Sequence, residues 1–424
     1  MERVADTRGD FIQRFLELNM SAIISATSIL GSHSPKLKSL PPLSLYIHIP
    51  WCMKKCPYCD FNSHEIQSQN GAVPEAEYVA ALIRDLEGVL PQVWGRRVVS
   101  VFFGGGTPSL FSARSIDAIL TAVRALLPLE HFAEVTLEAN PGTFEAIKFA
   151  DFRTAGINRL SIGIQSFNPR HLRSLGRIHD DSEAYRAIEM AQKNFDNVNL
   201  DLMYALPHQT AEEARNDIET AAAYGVSHIS AYHLTLEPNT LFHRYPPSLP
   251  DDDLSAEMQS MIEQTLAERG FINYETSAFA QAGKESRHNM NYWMFGDYLG
   301  IGAGAHSKIS FADRIVRQMR YKQPREYLAK AASDITAWDS SVIEQHEIAW
   351  NDRGFEFMIN ALRLTKGFAT EMFTERTGLP ITHIQRQLDE AERRKLLDRD
   401  YQRIAPTFAG RRFLNDLLQI FLPE

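Results

Sequence analysis

The chain has 424 residues, of which 44% are hydrophobic and 23% are charged, and these values are typical of a folded globular protein. Asp and Glu (53) outnumber Lys and Arg (44), so the formal charge of −9 argues against a protein that binds nucleic acid through a broad basic surface. The composition also excludes intrinsic disorder, a collagen repeat and a disulfide scaffold. The length predicts two or three domains.

The first 43 residues precede the regular pattern of the chain. Their best apolar run, Ala22–Leu30, is shorter than the ~18 residues that a membrane helix needs. Acidic and basic side chains are mixed between Glu2 and Asp10, so the positively charged start of a secretory signal is missing. We therefore expect residues 1–43 to form a poorly ordered extension of a cytoplasmic protein.

From Leu43 onwards, short β-branched or aromatic runs alternate with helical stretches. The predicted strands are Leu43–Ile49, Val98–Phe103, Glu134–Ala139, Arg159–Ile164, Asn197–Ala205 and His228–Leu236. The predicted helices are Tyr78–Leu90, Ile116–Leu127, Glu145–Ala155, Ser182–Asn194, Ala211–Tyr224 and Leu254–Arg269. Six consecutive βα units predict an α/β fold with a parallel sheet and helices outside it.

Polar or glycine-rich residues follow every predicted strand. Examples are Gly104–Pro108 after the second strand and Glu138–Pro141 at the end of the third. A barrel gathers all strand ends at one rim, whereas a doubly wound sheet concentrates function at one switch point. We therefore predict a partial (βα)6 TIM-like barrel, which with its extension covers residues 44–325.

Two less regular regions follow the sixth unit, and the first is Ile272–Ile309. After Asp339 we predict three helices, a hairpin and a last helix, at Glu347–Leu364, Ala369–Thr377, Ile381–Arg394, Tyr401–Phe413 and Phe413–Phe421. This order is typical of a helical, winged-helix-like module, which we assign to residues 326–424. Because acidic residues outnumber basic ones after Asp339, a packing or lid role is favoured over DNA binding.

Cys52, Cys56 and Cys59 are the only cysteines of the chain and lie within eight positions after the first strand. An odd number of thiols so close together cannot form a disulfide framework, and soft thiolates favour zinc or an iron–sulfur cluster. A structural zinc ion needs a fourth ligand, which would be His48, Asp60, His64 or a more distant residue. A four-iron cluster held by three cysteines leaves one iron open for a ligand. The spacing alone leaves these possibilities, and unligated thiols, open.

The cysteine loop and the glycine loop resemble those of the radical S-adenosylmethionine (SAM) superfamily. The features are Cys-x3-Cys-x2-Cys with Tyr58 before the last cysteine, and the run Gly104–Pro108 one strand later. The resemblance implies a [4Fe-4S] cluster on the three cysteines, with SAM on the open iron. It also implies that the methionine part of SAM binds at Gly105, Gly106 and Thr107.

Within that superfamily, the chain from about Leu43 to its C-terminus resembles the branch that contains oxygen-independent coproporphyrinogen III oxidase and the HemW-type haem chaperones. The segments that carry the resemblance are Leu45–Pro50, Leu137–Pro141, Gly163–Phe167, Leu175–Arg177 and Asn199–Leu202. The resemblance implies SAM contacts by Tyr46, Tyr58, Gly106 and Glu138. It implies further cofactor contacts by Gln165, Arg177 and Asp201, for which a surface ion pair or strand-end hydrogen bonding is the alternative.

Two features separate the chaperones from the oxidase. The oxidase pattern has a further cysteine two residues after the third, and this chain has Phe61 there. The segment Arg287–Trp293 matches the His-Asn-x-x-Tyr-Trp element of the chaperones, which implies haem binding by His288, Tyr292 and Trp293. Imidazole and phenolate groups serve as haem ligands in other proteins, whereas packing in a core is the alternative for all three side chains.

The sequence therefore predicts a haem chaperone that holds one [4Fe-4S] cluster, SAM and haem, and delivers the haem to an acceptor protein. We further expect a reductant such as a flavodoxin or ferredoxin, no nucleic acid, and membrane contact only through the acceptor. Whether the protein turns over a substrate stays open. The alternatives are a coproporphyrinogen oxidase, which converts propionates to vinyl groups, and a non-catalytic zinc-stabilised barrel. Met203 and Met290 are further candidate ligands of haem iron, with filling of an adaptable core as the alternative.

Overall fold

The computed structural model describes residues 36–66, 73–178, 180–332 and 341–423. Residues 1–35, which make up most of the predicted extension, lie outside the described residues. The described chain begins against the body of the protein: Leu37 is buried, and its N–H donates to the carbonyl of Ala312 over 2.8 Å. Within these ranges, no helix combines the length and the apolar character needed to span a bilayer.

Six parallel strands form the centre of the fold, and each contains most of the run predicted for it. They are β1 (Leu43–Ile49), β2 (Val98–Gly105), β3 (Leu129–Ala139), β4 (Arg159–Gln165), β5 (Val198–Tyr204) and β6 (His228–His233). Each strand of this series pairs in parallel with the next one along the chain. A doubly wound sheet would reverse direction at a switch point, so this order confirms the predicted barrel-type winding.

Helices alternate with these strands, and most of them share a hydrophobic core with the strands. They span Glu75–Val93, Ala113–Leu126, Thr143–Ala146, Phe149–Ala155, Pro169–Ser174, Asp181–Asn194, Ala211–Ala223, Leu241–Arg244, Asp252–Glu268 and Pro324–Ala332. The second of them shows why such helices form. The Ser112 hydroxyl caps its first turn, and its buried residues Ile116, Ile119, Leu120 and Val123 recur at helical spacing.

The single helix predicted at Glu145–Ala155 is instead two short helices, Thr143–Ala146 and Phe149–Ala155. Lys148 lies at the break, and its ammonium group donates to backbone carbonyls of the segment 109–111 that follows β2. The break therefore ties the third βα unit to the loop after the second strand.

The region Ile272–Ile309 is more regular than predicted, because it supplies four strands to the same sheet. These four are β7 (Ile272–Glu275), β8 (Ala278–Ala280), β9 (Asp297–Ile301) and β10 (His306–Ser310). Two further strands of the sheet follow the region, β11 (Ile315–Arg320) and β12 (Val342–Glu347). The sheet order is β12-β11-β10-β9-β1-β2-β3-β4-β5-β6-β8-β7. β9 runs parallel to β1, and β8 runs antiparallel to β6. The barrel is therefore open, since other strands occupy the edges of β1 and β6.

The C-terminal part of the described chain builds a second hydrophobic core from helices and a small three-stranded sheet. The helices are Arg353–Ala361, Thr370–Thr377, Gln385–Arg393, Phe408–Arg412 and Leu414–Gln419, and the strands are Phe368–Ala369, Arg403–Pro406 and Leu397–Arg399. Helices followed by a small sheet agree with the predicted winged-helix-like arrangement.

Two of the predicted C-terminal elements are wrong in their limits. The helix predicted at Glu347–Leu364 begins only at Arg353, because Glu347 ends β12 at the edge of the large sheet and residues 348–352 form the connecting turn. The hairpin predicted at Tyr401–Phe413 ends at Pro406. The hydroxyl of Thr407 accepts the N–H of Gly410 over 3.0 Å, and this cap starts a helix where a strand was predicted.

Candidate functional site

In three strands of the barrel, one residue is less buried than its neighbours in the strand. These three residues are among those predicted to bind SAM. β1 is buried along its length except at Tyr46, and β5 is buried except at Asp201. In the buried C-terminal half of β3 the exception is Glu138. Since successive side chains point to opposite faces of a strand, the strands place these polar groups on the inner face while their neighbours fill the core.

The cysteine loop follows β1 directly and is closed on itself. Trp51–Cys52 pairs with His64–Glu65 as a short two-stranded sheet, so both ends of the loop are joined. The ammonium group of Lys55 donates to the carbonyls of Phe61 and Ser63, each over 3.2 Å. The N–H of Cys59 donates to the carbonyl of Cys56 over 3.2 Å. The three free thiols are therefore held on one compact, partly accessible loop.

Each cysteine sulfur has a polar side chain within hydrogen-bonding distance. The sulfur–partner pairs are Cys52 with the Thr107 hydroxyl (3.5 Å), Cys56 with the Arg177 guanidinium (3.7 Å) and Cys59 with the Ser63 hydroxyl (3.6 Å). Burial raises the pKa of the Cys52 and Cys59 thiols, whereas coordination to a metal removes the thiol proton. Donors to sulfur suit thiolates that ligate a cluster. In the described chain, no three His, Cys, Asp or Glu side chains form a group suited to a single metal ion.

The glycine run Gly104–Pro108 lies between the strand ends and the cysteine loop without room for side chains. A Cβ atom on Gly106 would lie 2.5 Å from the carbonyl oxygen of Trp51, and one on Gly105 would lie 2.5 Å from the His48 ring. Gly105 also has a positive φ of 117°, which favours glycine. The N–H of Thr107 donates to the Trp51 carbonyl over 2.8 Å. Backbone atoms of this run therefore lie directly beside the cysteine loop.

Glu138 accepts a hydrogen bond of 3.2 Å from the N–H of Gly105, so the glycine run and the end of β3 meet at this carboxylate. Burial raises the pKa of Glu138 to about 8, and the negative charge of Asp201 contributes to the increase. Asp201 itself accepts hydrogen bonds from Ser161 (2.8 Å) and Asn199 (2.9 Å). The site thus contains a carboxyl group whose pKa lies well above its ordinary value and that can accept hydrogen bonds from a ligand.

A chain of polar side chains connects two of the cysteines. The Asn140 amide donates to the Thr107 hydroxyl over 3.0 Å, and its oxygen accepts from the Arg177 guanidinium over 2.7 Å. Because Thr107 donates to Cys52 and Arg177 to Cys56, the chain runs from one sulfur to the other. Arg177 also donates to the carbonyl of Gly163 at the end of β4. The ends of β2, β3 and β4 are therefore joined by side chains next to the cysteine loop.

His48 fixes the position of Tyr46 on the first strand. The Nε2 atom of His48 donates to the carbonyl of Asn62 over 2.9 Å, which leaves Nδ1 to accept from the Tyr46 hydroxyl over 3.0 Å. Burial lowers the pKa of His48 to about 4, so the imidazole is neutral at physiological pH. The neutral ring therefore has one N–H, and the two hydrogen bonds use both of its nitrogens.

The other residues predicted to bind SAM lie around this network in different ways. Gln165, at the end of β4, adopts a left-handed backbone conformation with φ of 67°, which is unusual for a residue with a side chain. Tyr58 packs against Phe242, with ring centroids 6.3 Å apart, in a small cluster with Leu175 and Met203. Burial raises the pKa of the Tyr58 hydroxyl. Met203, a candidate iron ligand, is thus a packing residue here.

The three residues predicted to bind haem have different neighbours in the structure. They lie on one short helix, Arg287–Trp293, but His288 faces the barrel: its Nδ1 lies 3.2 Å from the Ser100 hydroxyl, and its ring centroid lies 4.8 Å from that of Phe102. Burial lowers the pKa of His288 to about 3. Tyr292 packs at 5.0 Å from the ring of Trp293, and the Arg363 guanidinium covers Trp293 at 4.4 Å.

Asn140 and Ser63 are among the site residues that the sequence prediction missed. Asn140 stands in a motif segment, Leu137–Pro141, but an asparagine next to a proline is an ordinary turn residue. Ser63 is one of many serines in loops. Only their hydrogen bonds, to Thr107, Arg177 and Cys59, distinguish them. No spacing rule in the sequence identifies such contacts.

Two family models match the chain: the radical SAM superfamily over residues 46–221 and the HemN C-terminal domain over residues 349–413. In solved structures, the fold resembles coproporphyrinogen III oxidase (HemN) from Escherichia coli. That match has a TM-score of 0.76 at 22% sequence identity and covers 96% of this chain and 98% of that chain. At this identity the likeness concerns the fold alone.

Curated relatives match along almost their whole length. The heme chaperone HemW of Escherichia coli (strain K12) is 46% identical over 389 residues, which cover 91% of this chain and 99% of the relative. The heme chaperone HemW of Haemophilus influenzae is 44% identical, and the match covers 92% of this chain and 100% of that relative. The heme chaperone HemW of Bacillus subtilis (strain 168) is 32% identical, and the match covers 90% of this chain and 99% of that relative. The chain therefore belongs to the HemW family of the radical SAM superfamily.

Proposed function

We propose that the protein is a haem chaperone, which binds haem as cargo and passes it to an acceptor protein. The observation that carries this proposal is the match to relatives named heme chaperone HemW over 99% of the length of the relative from Escherichia coli. Support also comes from the two-part architecture, in which a radical SAM barrel is followed by a HemN-type C-terminal domain.

Cys52, Cys56 and Cys59 are the residues that would hold a [4Fe-4S] cluster. The donor set fits, since three thiols on one loop each have a polar partner, and the positive charge of Arg177 lies beside one sulfur. Three ligands leave one iron for the amino and carboxylate groups of SAM. When bound, the cluster and SAM supply one-electron reductive chemistry, for which a flavodoxin or ferredoxin is the proposed reductant.

The inner face of the barrel would hold SAM next to that loop. The backbone of Gly105 and Gly106 allows a close approach, because no side chain stands there. The carboxylate of Glu138 would accept hydrogen bonds from the amino group or the ribose hydroxyls of SAM. Tyr46, held by His48, would border the same space. Arg177 and Asp201 keep these elements in register through their hydrogen bonds to neighbouring strands.

The likeness to coproporphyrinogen III oxidase does not carry an oxidase activity. It rests on 22% sequence identity, which is half or less of the identity to the HemW relatives from Escherichia coli and Haemophilus influenzae. At Phe61, where the oxidase pattern has a cysteine, this chain has a side chain that is 65% exposed to solvent. We propose that the protein works in the cytoplasm, without nucleic acid, and reaches a membrane only through its acceptor.

Anaerobic reconstitution of the full-length chain tests both parts of the proposal. We expect about four irons per chain, an electron paramagnetic resonance signal that changes when SAM is added, and a haem absorption band on titration with haem. The variant Cys52→Ala should lose the cluster, whereas Asp60→Ala, an exposed change in the same loop, should retain it. Protein that binds zinc without iron, or that forms protoporphyrinogen from coproporphyrinogen, would contradict the proposal.

Transfer of the cargo needs its own measurement. Protein loaded with haem is mixed with a haem-free acceptor from the same cell, and the absorption of both proteins is followed after separation. We expect haem to appear in the acceptor faster than from free haem in buffer. A purified chain that binds no haem under any condition overturns the chaperone function, even if its cluster and SAM site are intact.

A further inference from the structure

A cavity of about 430 Å³ lies between the helix Arg287–Trp293 and the C-terminal domain. Its volume is within the range of ~300–1,000 Å³ that is usual for ligand pockets. None of its lining residues belongs to the cysteine network or to the inner face of the barrel. The cavity is therefore a second site, outside the space proposed for SAM.

Methionines line this cavity from both sides. Met290 and Met294 stand one turn apart, since the N–H of Met294 donates to the carbonyl of Met290 over 2.9 Å. Met372 comes from the helix Thr370–Thr377 of the C-terminal domain. All three are half-buried, and they are three of the 12 methionines of the chain. Thioethers are polarisable, pack well on aromatic rings and can ligate haem iron.

Positive charges border the same cavity. Arg287, Lys366 and Arg403 line it with exposed side chains, whereas Glu285 is the acidic residue among its lining. Arg287 is paired with Glu130 at 3.0 Å. Lys366 and Arg403 form no ion pair with any residue that the structure describes. Two exposed cations beside an apolar, thioether-lined wall suit a flat ligand that carries carboxylates at one edge.

The helix Arg287–Trp293 separates this cavity from the barrel. Its residues Arg287 and Met290, together with Met294 at its C-terminal end, line the cavity, while His288 points to Ser100 and Phe102 on β2. His288 is not among the residues of the cavity wall. A ligand in the cavity would thus meet methionine sulfur and basic groups, and it would lie across the helix from the imidazole.

We propose that this cavity is the binding site of the haem cargo, with the propionates at Lys366 and Arg403 and a methionine thioether as an iron ligand. The inference rests on the proposed chaperone function and deepens it by naming the site. It gives the C-terminal domain a direct part in holding the cargo, since Lys366, Met372 and Arg403 all belong to it. Macrocycles with two carboxylates are the class of ligand that this lining fits.

Haem titration of the full-length, cluster-loaded protein tests the proposal. The double variant Lys366→Glu/Arg403→Glu should bind haem at least about tenfold more weakly, because each lost charge-assisted hydrogen bond is worth about that factor. The control Arg114→Glu/Lys193→Glu carries the same charge change on exposed helix positions of the barrel and should bind like the unchanged protein. The iron content of each preparation shows whether the barrel is folded.

Methionine ligation has a separate readout. Replacing Met290, Met294 and Met372 with leucine, one at a time, should in at least one variant change the absorption spectrum of reduced haem and lower its reduction potential. Unchanged spectra in all three variants would overturn the ligation. Unchanged affinity in the charge-reversal variant, with haem binding lost in His288→Ala, would overturn the cavity site while the chaperone function stands. An unchanged protein that binds no haem would overturn the function itself.

Discussion

The Asn140 carboxamide oxygen accepts a hydrogen bond of 2.7 Å from the Arg177 guanidinium, and this contact closes the polar chain between Cys52 and Cys56. Asn140 comes from the end of β3, and Arg177 from the segment after β4. Neither residue is one of the three cysteines that are proposed to hold the cluster. Their contact nevertheless fixes the side chains that donate to two sulfurs, so the surroundings of the proposed cluster depend on it.

Replacing Asn140 with alanine should make the cluster less stable without removing a ligand. The change leaves Arg177 and Thr107 without one hydrogen bond each, which typically costs ~1–3 kcal/mol for buried groups. We expect the reconstituted variant to lose iron several-fold faster in air than the unchanged protein. The control is Asn194→Ala, which removes a 2.7 Å hydrogen bond to the Met190 carbonyl on an outer helix. Equal rates of iron loss in both variants would contradict the positioning role.

Glu138 should make SAM binding depend on pH. Burial raises the pKa of its carboxyl group to about 8, so the group is protonated below that pH and becomes a carboxylate above it. The carboxylate is the stronger acceptor for the amino and hydroxyl groups of SAM. The affinity for SAM should therefore rise as the pH increases towards about 8 and then level off.

The variant Glu138→Gln keeps the shape of the side chain but cannot titrate. We expect roughly tenfold weaker binding of SAM at pH 8.5 than in the unchanged protein, given the ~1.5–3 kcal/mol of a charged hydrogen bond, and a flat profile between pH 6 and pH 8. Equilibrium dialysis over this range measures both. The exposed change Glu212→Gln should leave the profile intact. A profile that stays pH-dependent in Glu138→Gln assigns the titration to another group.

Gly106→Ala should damage the site by steric overlap alone. Its Cβ atom would lie 2.5 Å from the Trp51 carbonyl oxygen, so the glycine run or the cysteine loop has to move. We expect lower iron content after reconstitution and a lower melting temperature. Gly270→Ala is the comparison: it has a positive φ of 82° but no atom within 4 Å of the added carbon. That variant should lose ~1 kcal/mol of stability from backbone strain and keep its iron.

His288 should act as a neutral packing residue of the barrel. Because burial lowers its pKa to about 3, it carries no charge between pH 5 and pH 8, and its replacement should not change any pH profile in that range. His288→Ala removes the ring that packs on Phe102, at a cost of ~1–3 kcal/mol. Thermal unfolding measures this loss, with the exposed change His131→Ala as the control. A new inflection near neutral pH in the stability of the unchanged protein, lost in the variant, would contradict this role.

The central strands could be predicted because their signal is local. Leu43–Ile49 and Val198–Tyr204 are short runs rich in apolar residues, and the limits of both strands agree with the predicted limits within one residue. The strand Asp297–Ile301 was not predicted, because it is short, contains a glycine and gains its stability from pairing with β1, about 250 positions earlier in the chain. Such a partner leaves no trace in a local pattern.

In the candidate site, too, short motifs could be predicted, whereas contacts between residues far apart in the chain could not. The cysteine spacing and the glycine run are short motifs, so the sequence indicates them directly. The different neighbours of His288 and Trp293 depend on how one short helix packs between the barrel and the C-terminal domain, and the motif alone does not distinguish them. The cavity at Met290 and Met372 joins segments 82 positions apart. Only the folded chain places them together.

The hydrogen bonds around the cysteines have a consequence for how the protein matures. During synthesis the ribosome releases Cys52, Cys56 and Cys59 early, but Thr107, Asn140 and Arg177 follow up to about 120 positions later. Metal that arrives before the fourth βα unit has emerged would meet bare thiols on an unsupported loop. We therefore expect the proposed cluster to be loaded after translation of this part, so the thiols have to stay reduced until then.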